Sequence, residues 1–185
     1  MRRVYAFEPD PRNLPHLRAN AALVGNVEVL PLAVSSRDGR APFHVASVSS
    51  VSSLEGTGSA VDVETTTIDT FVFNNPGVEV TAVKTDIEGH DLEALRGMER
   101  TVQRDHPVVL TECAYSDNLA ALCDRWDYSM FAFTRTRPNI RKVQLERIDE
   151  RSRNAWFEML FLVPKDRNEP FEAVLRSQKP AHRQA

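Results

Sequence analysis

Apolar residues along the chain fall into short continuous runs that alternate with stretches at helical spacing. Val4-Tyr5-Ala6-Phe7 is a β-prone run that meets Glu8-Pro9-Asp10-Pro11. Two prolines without N–H groups stop a ladder there, so a strand ends at Glu8. Asn13 then stands at a helix cap position with Pro15 in the first turn, and Leu14, Leu17, Ala21 and Val24 recur at helical spacing until Gly25 closes the helix. Val27 to Val34 reads as the next strand, with Pro31 marking an edge or a bulge, and Ser36-Arg37-Asp38-Gly39 as the turn after it. From Ala41 to Phe73, short β-like pieces surround a Ser/Gly-rich stretch from Ser47 to Ala60, which predicts a loop-bearing antiparallel insertion.

Val78 to Thr85 is the third main strand. The loop Asp86-Ile87-Glu88-Gly89-His90 leads into a helix with Leu92, Leu95, Met98 and Val102 on one face. Asp91 and Glu93 fall in its first turn, where the helix dipole favours acids. Val108 to Glu112 is again a strand ending in an acid, followed by a helix near Asn118 to Trp126 and two closing strands, Tyr128 to Phe133 and Trp156 to Val163. Strands separated by crossover helices require a largely parallel α/β sheet covered on both faces, with ligands beyond the carboxyl ends of the strands. The predicted α/β domain covers residues 1–164; the polar, basic tail 165–185 is expected to fray.

A chain of 185 residues with a 42% apolar share suits one domain. Its net charge of −3 gives no global pull toward nucleic acid or an anionic membrane. Cys113 and Cys123 lack metal-site or disulfide-framework spacing, and no apolar run reaches a signal-peptide core or a membrane span. These features predict a soluble cytoplasmic protein whose partners must be inferred from its sites.

The acids at strand ends are the candidate chemistry. A carboxylate offers two acceptor oxygens to a vicinal diol, so Glu8 is a candidate for a nucleotide ribose and, from position alone, equally a solvated loop acid. Asp86, Glu88 and His90 alternate, so an extended segment would turn their side chains one way and form a general base or a metal cluster. Capping or loop structure ranks above a metal site, because acids before a helix commonly cap it. Gly89 suits a turn of positive φ, and Gly97 suits close packing of its helix. Glu112 and the aromatics Phe131, Phe133, Trp156, Phe157 and Phe161 read first as structural.

The runs Val4-Tyr5-Ala6-Phe7-Glu8-Pro9-Asp10-Pro11, Asn26-Val27 through Ala33 with Asp38-Gly39, Thr67-Ile68-Asp69, and Val83-Lys84-Thr85-Asp86-Ile87-Glu88-Gly89-His90 followed by Leu95-Arg96-Gly97 resemble the FkbM family of methyltransferases. The resemblance covers roughly positions 4–163 and is most specific in K-x-D-x-E-G-H with its following L-R-G. It implies a Rossmann-like class I methyltransferase fold, S-adenosylmethionine as donor, and a hydroxyl on a sugar, polyketide or similar small molecule as acceptor. It also implies that Glu8, with Pro9 beside it, holds the ribose, that Ala33, Val34 and Ser35 border the adenine, and that Asp86 and Glu88, with His90, line the crevice near the methyl donor. No metal is implied.

Asp91 stands where the family commonly has glutamate. Family members resemble one another in a strand and D-x-G-x-N-x-G-type loop before the first acidic strand, whereas Met1 comes only seven residues before Glu8. The expectation is therefore a chain lacking that first strand and helix, binding cofactor weakly and self-associating through an exposed sheet edge. A non-catalytic remnant is the alternative. A nicotinamide-dependent dehydrogenase would share the ribose acid, but the chain has no G-x-G-x-x-G.

Overall fold

The computed structural model describes residues 3–44, 54, 60–135, 143–152 and 157–178. The chain forms two compact units, one built from Met1–Val78 and Ile87–Thr101 and the other from Glu79–Asp86 and Val102–Ala185.

The first unit opens with a βαβ crossover. Strand β1 (Val4–Phe7) lies parallel to β2 (Val27–Leu30), in register from Val4 opposite Val27 to Phe7 opposite Leu30, with helix α1 (Leu14–Val24) between them in sequence. Gly25 ends α1 at φ 72°, a left-handed conformation in which its N–H reaches the Ala21 carbonyl. Asn13 occupies the cap position but does not cap: its side-chain amide donates to Glu8 instead. The strand expected from Val27 to Val34 is broken at Pro31, which cannot donate to a ladder. Its second part, β3 (Ala33–Val34), joins a different sheet, where it lies parallel to β5 (Ala60–Thr66), itself antiparallel to β4 (Gly39–His44). This is the expected antiparallel insertion, with Ala33, Phe43 and Val63 as its core. The Ser47–Ala60 stretch lies outside the described residues except at Leu54 and Ala60.

Residues Ile68–Asn74, expected among the β-like pieces, form helix α2. The reason is local: the Thr67 hydroxyl accepts the Thr70 N–H at 2.9 Å and caps the first turn. Phe71 on α2 then packs edge-on against Tyr5 and Phe7 of β1, with ring centroids 4.8 and 5.2 Å apart. Helix α3 (Asp91–Arg96) completes this unit, and α4 (Glu99–Asp105) follows after a break at Gly97.

In the second unit, β6 (Ala82–Thr85), β7 (Val108–Thr111), β8 (Tyr128–Arg135), β9 (Val143–Arg147) and β10 (Leu160–Pro164) form one sheet in the order β6-β7-β10-β8-β9. Parallel pairing in it is confined to β6–β7; β10 runs antiparallel to both β7 and β8, and β9 antiparallel to β8. Helix α5 (Asp117–Trp126) buries Leu119, Leu122, Cys123 and Trp126 along one stripe. The segment expected to fray holds helix α6 (Glu169–Gln178), because Phe171 and Leu175 recur on one face and pack against Phe131, Leu145 and Val163. Among the described residues, no helix is long and apolar enough to cross a membrane.

Candidate functional site

The turn after β1 is built from its acids. Glu8 is half-buried; one carboxylate oxygen accepts the Asp10 N–H at 2.7 Å and the other the Asn13 amide at 3.2 Å. A carboxylate has about four lone-pair sites, so Glu8 keeps acceptor capacity for two adjacent hydroxyls, and the group fits a ribose diol. Asp10, fully buried, holds the turn: its carboxylate accepts the Arg12 backbone N–H at 2.9 Å and the Arg12 guanidinium at 2.7 Å. The guanidinium keeps the Asp10 carboxyl below the usual carboxylate range. Nothing in the sequence pattern distinguished Asp10 from an ordinary turn acid; an arginine two residues later was the available signal.

Beyond β3 the loop 35–38 is pinned at every residue. The Ser35 hydroxyl lies 3.0 Å from His90 Nε2, and the Ser36 hydroxyl donates to Glu93 at 2.6 Å. The Arg37 carbonyl accepts the Thr65 hydroxyl, and Asp38 accepts the Thr66 hydroxyl, the Thr67 N–H and the Thr70 hydroxyl. The Thr70 hydroxyl is the largest influence holding Asp38 below its ordinary pKa. Glu93 is lowered first by the Ser36 hydroxyl and then by Arg96. Asp69 serves at a distance: its carboxylate accepts the N–H groups of Arg100 and Thr101 and the Thr101 hydroxyl, closing the start of α4.

Gly97 is where these segments meet. A Cβ on it would stand 2.1 Å from the Ser35 carbonyl oxygen and 3.3 Å from the Thr67 side chain, and its own carbonyl accepts the Asp69 N–H. The expected close packing at Gly97 is therefore against the loops after β3 and β5. The motifs read separately along the sequence, Ala33-Val34-Ser35, Asp38-Gly39, Thr67-Ile68-Asp69, His90 and Leu95-Arg96-Gly97, form one interlocked set.

The expected convergence of Asp86, Glu88 and His90 required an extended segment, and the backbone is not extended. Glu88 has φ 34° and Gly89 φ 87°, and the His90 N–H returns to the Ile87 carbonyl at 2.9 Å, a turn that ends the two-residue alternation. Asp86 is exposed in the second unit and takes the Lys84 ammonium at 2.7 Å; Glu88 is exposed and His90 half-buried in the first. Ala33 and Val34 are buried in their ladder with Thr65 and Thr66, and Pro9 sits between Glu8 and Asp10. Of the residues singled out, then, Ser35 and His90 are joined directly. Among the described residues no group of three or more His, Cys, Asp or Glu side chains could hold a metal ion. Cys123 is buried, which pushes its thiol up to about 12 and leaves it unreactive.

Residues 1–159 match the model of the methyltransferase FkbM domain. The chain belongs to the FkbM methyltransferase family. A relative, the hexuronic acid methyltransferase AglP of Haloferax volcanii, is 29% identical over 109 residues, which cover 58% of this chain and 46% of AglP. The crystal structure of a methyltransferase FkbM from Methylobacillus flagellatus superposes with a TM-score of 0.52 at 19% identity, covering 87% of this chain and 36% of that one. The likeness shows the Rossmann-like methyltransferase fold. The chain spans about half the length of AglP and 36% of the solved neighbour.

Proposed function

We propose that this FkbM-family chain transfers a methyl group from S-adenosylmethionine to a hydroxyl of a small molecule, with a sugar, including a uronic acid, as the leading acceptor class and a polyketide-like molecule as another. The observation that carries the reading is the Ser35–His90 contact at 3.0 Å, which ties the loop following β3 to the turn following β6. Strand-end loops are where open α/β sheets place their ligands. The name of the relative AglP supports the sugar acceptor.

S-adenosylmethionine supplies an electrophilic sulfonium methyl when bound. The chain's own part is positioning and proton removal. Glu8, with Pro9 fixing the chain beside it, accepts the ribose hydroxyls, and Ala33, Val34 and Ser35 border the adenine. Asp86, Glu88 and His90 are the groups available to take the acceptor hydroxyl's proton as the oxygen attacks. Asp86 serves as a carboxylate held by Lys84 rather than as a metal ligand.

The test is incorporation of labelled methyl into a panel of neutral sugars and uronic acids. Turnover that persists in EDTA is the expected result. Loss with chelator, restored by a divalent cation, would instead put His90 and its neighbouring acids on a metal. A protein that transfers no methyl to any sugar, alcohol or polyketide hydroxyl would defeat the proposal. Self-association belongs to the same reading, since β1 is paired with β2 and β6 with β7, leaving each at the end of its sheet.

A further inference from the structure

The parallel pair β6–β7 ends on a buried polar position in both strands. One face carries Val83 and then Thr85 on β6, and Val109 and then Thr111 on β7; Thr85 lies opposite Thr111, whose other neighbour is Leu160 of β10. Thr111 and Leu160 are fully buried and Thr85 nearly so. Valine matches threonine in size and branching and would continue both stripes, whereas a buried hydroxyl is costly unless it is hydrogen-bonded. Here both hydroxyls are bonded. The Thr85 hydroxyl donates to the Thr111 hydroxyl at 2.7 Å, and the Thr111 oxygen also accepts the Cys113 N–H at 3.2 Å. The Thr85 carbonyl accepts the Glu112 N–H at 3.3 Å. That carbonyl belongs to the same peptide group as the Asp86 nitrogen, so Thr85 is tied to β7 through main chain and side chain immediately before Asp86 projects from the strand.

We propose that Thr85 and Thr111 are positioning residues for methyl transfer: their hydroxyl pair fixes the strand end that holds Asp86, and Asp86 is the group that takes the acceptor hydroxyl's proton. The inference rests on the reading of this chain as a methyltransferase with Asp86 among its proton acceptors. Asp86 follows the paired threonines directly and is held in turn by Lys84 at 2.7 Å, whereas Glu88 and His90 belong to the turn beyond, in the first unit. Replacing both partners of a buried hydrogen bond by apolar groups of the same shape is close to neutral for folding. A displacement of about 1 Å at a reacting group, in contrast, costs on the order of a hundredfold in rate. Stability and activity therefore separate when the hydroxyls are removed.

Two double variants test it, Thr85→Val with Thr111→Val and Thr85→Ser with Thr111→Ser. Each is compared with the parent by urea unfolding and by steady-state transfer of labelled methyl to the panel of sugars and uronic acids, glucuronic acid first. The valine pair is expected to keep the parent's urea midpoint and its KM for S-adenosylmethionine, with kcat lower by about tenfold to a hundredfold. The serine pair keeps the hydroxyls and loses two buried methyl groups, so its midpoint should fall while it recovers most of the parent's kcat. In an Asp86→Asn background the valine pair should cost no further rate, because its effect passes through that carboxylate. A kcat that follows the urea midpoint across both pairs, or a valine-pair loss that persists beside Asp86→Asn, would overturn the proposal while leaving methyl transfer intact. Full activity of Asp86→Asn, or no transfer by the parent, would remove the underlying reading and the proposal with it.

Discussion

Gly97→Ala is expected to destabilise the first unit by about 3 kcal/mol or more. Overpacking a well-filled interior costs roughly 1–3 kcal/mol when the clash is with movable side chains. Here the added Cβ meets a backbone carbonyl, that of Ser35, at 2.1 Å. The carbonyl cannot rotate away, because Ser35 is held by its N–H to Thr66 and its hydroxyl to His90, and Ser36 by Glu93. The conformation of Gly97 is not the constraint: its φ of −78° is open to any residue. Thermal or urea unfolding measures the loss. Because the displaced loop carries Ser35, methyl transfer should fall further than stability alone explains. A variant within about 0.5 kcal/mol of the parent, the range of an ordinary surface change, would show that the interlock is looser than its distances indicate.

The second large effect is expected at Arg12→Ala, a clear loss of stability read as a lower urea midpoint. Removing the arginine leaves the buried Asp10 carboxylate without its ion-pair partner. Arg12 is itself 43% exposed, and its backbone N–H still serves Asp10, so the loss falls short of that of a fully enclosed pair. The pH dependence gives the effect a signature. The Asp10 carboxyl titrates below its ordinary value in the folded protein, so the unfolded chain binds more protons as the pH drops through the carboxylate range. Its contribution is therefore complete above about pH 4 and lost as pH falls through the lower folded value. Without Arg12 that depression is relieved. The difference between parent and variant should be largest near neutrality and shrink in acid, as followed by urea midpoints across pH. A difference constant with pH would assign the loss to packing of the arginine stem.

The elements written in local code were legible in the sequence. Pro15 and Gly25 bound α1, the run Val4–Phe7 stops at the prolines after Glu8, and Leu119, Leu122 and Trp126 mark the buried stripe of α5. What escaped was set by individual side-chain contacts, some local and some long-range. Asn13 was drawn from its cap by Glu8, α2 owes its first turn to one threonine hydroxyl, and Asp69 closes a helix that begins thirty positions later in the chain. α6 was obscured by its charged composition, although Phe171 and Leu175 were spaced to dock. The candidate site followed the same division. Glu8, Ser35 and His90 were visible as residues, while the turn at Glu88-Gly89, which redirects His90, depends on backbone angles that alternation cannot report.

Calorimetric titration of the protein and of Glu8→Ala with S-adenosylmethionine tests the central claim most directly. A carboxylate that accepts two ribose hydroxyls contributes hydrogen bonds to a charged group, each worth about 1.5–3 kcal/mol. Saturable binding is expected, weakened by about 1.5–3 kcal/mol in Glu8→Ala, roughly tenfold to a hundredfold or slightly more in the dissociation constant. Binding of unchanged affinity in the variant, or no saturable heat with the unaltered protein, would contradict that claim.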